Sequence, residues 1–194
     1  MSFWTTTTTD PKRDYRFVVN FSNFGTDGCS WFVKNIDKPS ISLSEASHEY
    51  LNHTFYYPGR VTWNSVSCTL VDPADPDAAA TFLDVMSKAG YKPPSTAGDH
   101  DTITKSSAID KLGPVVIRQL DGAGGTLEQW TLQNSWLKSV TLSGLDYSSD
   151  SLSEITVEIR YDFATLDVAG KGAGGDAAIG ASNPLFALTD TTGV

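Results

Sequence analysis

The stretch Glu154–Phe163, EITVEIRYDF, alternates without interruption. Ile155, Val157, Ile159, Tyr161 and Phe163 form a core face; Glu154, Thr156, Glu158, Arg160 and Asp162 form the other. A period of two fits a pleated strand, whereas helical apolar residues recur three and four apart. Such a strand belongs in an antiparallel sheet, with one side packed and the other in water. The chain already carries a formal charge of −9, so a long charged front calls for a physical reason.

Further strand patterns precede it. YRFVVNF places Tyr15, Phe17, Val19 and Phe21 on one side, and CSWFVKNI follows the turn-rich GTDG, which predicts a hairpin. Lys38-Pro39 breaks the run, and SHEYLNHTFYY resumes extended structure. Pro58-Gly59 reads as a turn before RVTWNSVSCTLV, a strand rich in β-branched residues. PVVIRQL and TLEQWTLQ flank DGAGG as a second hairpin, and SWLKSVTL adds another strand. A single helix is predicted from Asp75 as N-cap and Pro76 at its first position. Its apolar stripe is Ala79, Phe82, Leu83 and Met86, and Gly90 ends it.

Seven to nine strands and one short flanking α-helix predict a mainly β fold, an antiparallel β-barrel or sandwich. Residues 1–13, with five consecutive threonines, read as a flexible N-terminal arm. The domain spans 14–166 and carries a polar insertion at 91–112; a Gly/Ala-rich extension occupies 167–194.

The residues bearing chemistry do not converge. Cys29 and Cys68 form no CxxC and are expected as buried free thiols. His48, His53 and His100 are scattered, and the first two, five apart, fall on opposite strand faces. Asp72, Asp75 and Asp77 lack the glycine and distal glutamate of a calcium loop. DGAGG and GKGAGG do not follow the phosphate-loop order. The expectation is no enzyme, no cofactor and no metal. The acidic balance argues against gripping a phosphate backbone. No apolar run reaches signal-peptide or membrane-span length, so cytoplasmic synthesis without membrane insertion is expected.

The ordered set PGRVTWNSVSCTLVDPADPDAAATFLDVMSKAGY, VVIRQL and EQWTLQNSWLKSVTLSGLDYSSDSLSEITVEIRYDFATL resembles the tail tube proteins of contractile-tailed bacteriophages. The same fold resembles the tubes of type VI secretion and other contractile injection systems. The resemblance implies homohexameric rings stacked into a hollow tube inside a tail sheath protein, bounded by a baseplate hub and a tail terminator. The tape-measure protein and then genomic DNA would occupy the bore. The place of action would be the virion tail, after assembly in the host cytoplasm. Alternatives are a tube delivering protein effectors or, in another class, a monomeric β-barrel ligand-binding module.

On this reading Glu154, Thr156, Glu158, Arg160 and Asp162 face the lumen, while Trp63, Trp130 and Trp136 anchor the core or a ring interface. Six copies giving four strands each make about 24 spacings of ~4.8 Å, a wall roughly 37 Å across. Acidic rings on that wall would repel DNA, itself bearing one negative charge per ~1.7 Å. Screening over ~8 Å keeps the repulsion short-ranged.

Overall fold

A computed structural model describes residues 11–23, 32–75, 77–95, 100, 102–168 and 186–187. Two sheets pack face to face. One has the order β1-β6-β7-β10-β11: Phe17–Phe21, Val115–Leu120, Thr126–Gln133, Phe163–Val168 and Phe186–Ala187. The other has the order β2-β5-β9-β8: Val33–Ile36, Val66–Val71, Glu154–Arg160 and Trp136–Leu142. All pairings are antiparallel except β10 with β11. The architecture is a sandwich and not a closed barrel.

Alternation fills the space between the sheets. Val19, Phe21, Val115, Leu132 and Ala164 come from the first sheet; Val66, Cys68, Leu70, Ile155, Val157 and Ile159 come from the second. Burial, with the negative field of Asp37 added, pushes the Cys68 thiol up to about 12, so it stays protonated and unreactive. Cys29 lies outside the described residues.

α1 (Ala78–Lys88) follows β5 in the chain. Its N-cap is Asp77, whose carboxylate accepts from the Ala80 N–H at 2.8 Å. That places the buried stripe on Ala78, Phe82 and Val85, and leaves Leu83 53% exposed. The predicted Asp75 cap and the Leu83 stripe are therefore displaced. Phe82 meets Phe21 edge to face at 6.0 Å, which fastens the helix to β1.

A second helix, α2 (Lys105–Leu112), occupies the end of the stretch read as a polar insertion. Thr104 caps its start, Gly113 at φ 70° closes it, and Leu112 is buried. The predicted β1–β2 hairpin does not form, because β1 pairs with β6 and β2 with β5 in different sheets. DGAGG does turn β6 into β7, with Asp121 accepting from the Ala123 and Gly125 N–H groups.

EITVEIRYDF is not one strand. β9 stops at Arg160, and the chain changes sheets through Tyr161 and Asp162. Phe163 opens β10 on the side away from the core and is 40% exposed, so it leaves the predicted core face. Ile155, Val157, Ile159 and Tyr161 are buried.

Candidate interaction surfaces

β3 (Ile41–Tyr50) and β4 (His53–Trp63) form a two-stranded hairpin that, among the described residues, joins neither sheet. The sequence reading ran straight through its turn. Leu51, at φ 54°, and Asn52 reverse the chain, so His48 and His53 stand on facing strands. Pro58-Gly59 is no turn but a bulge, where the register shifts opposite Leu43–Glu45. There a Cβ on Gly59 would lie 2.3 Å from Ser44 Oγ and 2.8 Å from its carbonyl oxygen. Only glycine lets the strands approach that closely.

The hairpin has almost no core of its own. Ile41, Leu43, Tyr50, Leu51, Phe55, Tyr56, Tyr57 and Val61 are each 46–89% exposed. Near the root, Ile41 opposite Trp63 and Leu43 opposite Val61 make one face apolar. Towards the tip, Tyr57, Phe55, His48, Tyr50 and His53 gather on the other face, with His53 and Phe55 edge to face at 4.7 Å. The root is pinned by Ser40 and Asn64, whose backbones bond at 2.9 Å and side chains at 3.0 Å.

A buried carboxylate braces that root. Glu128 of β7 ion-pairs Lys38, just before β3, and Lys12, which precedes β1. Burial would raise the Glu128 pKa, but hydrogen bonds and charge from Lys12 and Lys38 outweigh it and hold the group below its ordinary value. A depressed carboxylate stabilises the fold above its unfolded value and loses that contribution as pH falls through the folded one. Thermal stability is accordingly expected to drop on acidification below about pH 4.5. A Glu128→Gln chain should show a smaller drop, as thermal melts across that range would measure.

The outer face of the second sheet is where the charged ladder lies. Lys34 holds Glu154 at 2.5 Å, and Lys138 holds Glu158 at 2.7 Å, with Ser65 at 2.5 Å from the same carboxylate. Hydrogen bonds from Lys138 and Ser65 lower the Glu158 pKa. Thr156 sits beside Thr69 and Thr141. Asp162 lies beyond the strand, bound to Lys105 at 2.7 Å and Asn134 at 2.9 Å. Lys34 and Lys138 thus offset Glu154 and Glu158, two cations against two anions, while Arg160 lies at the Trp136 end of the strand. The face expected to be acidic is instead charge-balanced and hydroxyl-rich, because cross-strand lysines far apart in sequence neutralise its glutamates.

The sheet ends and edges complete the inventory. Among the described residues, β2 and β8 are its two outer strands, each paired on one side only. At the Trp136–Arg160 end, a cavity of about 550 Å³ opens between the hairpin root and α2. Of the predicted anchors, Trp63 is half-buried 5.9 Å from the Tyr161 ring and Trp136 lines this cavity. Trp130 packs on the core from β7, its buried Nε1 without a hydrogen-bond partner among the described residues.

No protein-family model and no curated protein matches the sequence. Solved structures do. The chain is similar to one in the baseplate of the anti-feeding prophage, with TM-score 0.60 and 18% identity over 81% of this chain and 96% of that one. It is equally similar, at TM-score 0.60 and 15% identity, to one in the sheath–tube complex of an extracellular contractile injection system, over 84% and 99%. A chain of the anti-feeding prophage tube-terminating cap aligns at TM-score 0.59 and 16% identity over 84% and 99%. What is shared at these identities is the fold.

Proposed function

We propose that this chain is a structural subunit that joins copies of itself into rings, and that the rings stack into a hollow tube within a contractile assembly. The exposed β3–β4 hairpin carries the reading. An isolated two-stranded hairpin is marginal in water, and this one displays a row of large apolar side chains. Covering the exposed half of each is worth about 1 kcal/mol, on the order of 8 kcal/mol for the set. That is comparable to the ~4–15 kcal/mol cost of association. The hairpin therefore makes sense as an arm laid on a neighbouring copy.

The one-sided strands β2 and β8 supply the lateral joint: β8 of one copy beside β2 of the next continues the sheet around a ring. Six copies give the roughly 37 Å wall estimated from strand spacing. The lumen face is then the one bearing Glu154, Thr156, Glu158 and Arg160, and its balanced, hydrated surface offers a passing polymer no sticking charge. In a phage tail the cargo is DNA. The likeness to structures from extracellular contractile injection systems favours a second reading, in which the same tube delivers protein.

Negative-stain microscopy of the purified chain tests the proposal. Hollow rings or rods are the expected result, and a monomer at every concentration would overturn it.

A further inference from the structure

The β8–β9 pair ends differently at its two extremities. At one end, Trp136 and Arg160 sit opposite each other beside the cavity. Val61, Trp63, Ile103 and Ala108 add apolar walls, and its volume of about 550 Å³ lies within the ~300–1,000 Å³ of clefts that bind ligands. Lys105 is committed to Asp162, and Asp162 also to Asn134. The Arg160 charge also acts on Asp162, so the cleft sets two cations, Lys105 and Arg160, against the single Asp162 carboxylate.

At the other end lies the loop 143–153, SGLDYSSDSLS. Leu145 is 94%, Tyr147 113% and Leu152 70% exposed. The loop contains Asp146 and Asp150 and no cation. Ser148 ties down Asp146 through its backbone N–H and hydroxyl, so the loop's turn is built. One end is an apolar cleft with a spare positive charge, and the opposite end of the same strands is an apolar knob with spare negative charge. β9 separates them by seven residues, on the order of 20 Å.

We infer that the knob of one copy seats in the cleft of the next, with Tyr147 and Leu145 among Trp63, Trp136 and Ile103 and the loop carboxylates facing Arg160. This inference rests on the tube reading and specifies its axial joint. Lateral joining uses strand edges, so strand ends point at the adjacent rings. A contact between unlike surfaces at opposite ends repeats without closing, which is the geometry of a filament.

The test uses the full chain and three variants: Arg160→Glu, Asp150→Lys, which leaves the Asp146 turn intact, and both changes together. Every altered side chain is at the surface or the cleft mouth, so circular dichroism should be unchanged. The first two variants are expected to give single rings, with the concentration needed for rods raised at least tenfold, a factor worth about 1.4 kcal/mol. The combined variant should regain rods. Wild-type rods together with unaltered rods in both partial variants would overturn the axial joint and leave the tube reading intact. Rods lost in the first two variants and not restored in the third would mean that Arg160 meets a different acidic partner, which also overturns the assignment. Absence of rings and rods in the wild type would instead overturn the tube reading.

Discussion

Replacing Ser42–Thr62 by Asn-Gly should yield a folded monomer that forms neither rings nor rods at any concentration. Ile41 and Trp63 already face each other at the root, and Ser40 and Asn64 are bonded behind them, so a two-residue turn can close the gap. The body keeps its core, because every side chain in the buried cluster comes from outside the deleted stretch. Its melting temperature should stay within a few degrees of the parent's. What disappears is the apolar surface from Leu43 to Val61 that a neighbour would cover. Sedimentation velocity reads the result directly. Rings of parental stability from the shortened chain would show that the hairpin is a passenger.

Phe82→Ala should cost ~3–5 kcal/mol of folding stability, the range for emptying a buried aromatic site. The ring is fully buried, stands edge to face with Phe21 at 6.0 Å, and fixes α1 against β1. Collapse around the hole is limited, since Phe21 is itself held in β1 by pairing to Val115. Urea denaturation of the shortened monomer above would isolate this cost from any contribution by assembly. Leu83→Ala is the control: half-exposed one residue along, it should change stability by well under ~1 kcal/mol.

How far the sequence discloses this structure depends on whether a signal is local. The alternation of Ile155, Val157 and Ile159 is a property of one strand, and the DGAGG turn is fixed by its own glycines and Asp121; both were legible. The partners of β1 and β2 were not, because Phe17–Phe21 pairs with Val115–Leu120, remote in the chain. The ladder misled for the same reason: Lys34 and Lys138, which neutralise it, come from other strands. α2 had signals, Thr104 before it and Gly113-Pro114 after it, yet its few apolar residues hid the period. At Pro58-Gly59 the residues of a turn serve a bulge instead, and only the close approach of Ser44 distinguishes the two.

The passage from β4 into β5 has a mechanical consequence. Only Asn64 and Ser65 separate the hairpin from Val66–Val71, which lies between β2 and β9. A pull on the arm is therefore delivered lengthwise along a strand zipped on both flanks. Such a load strains many backbone bonds in shear at once, where a tug on a sheet's rim would peel them one after another.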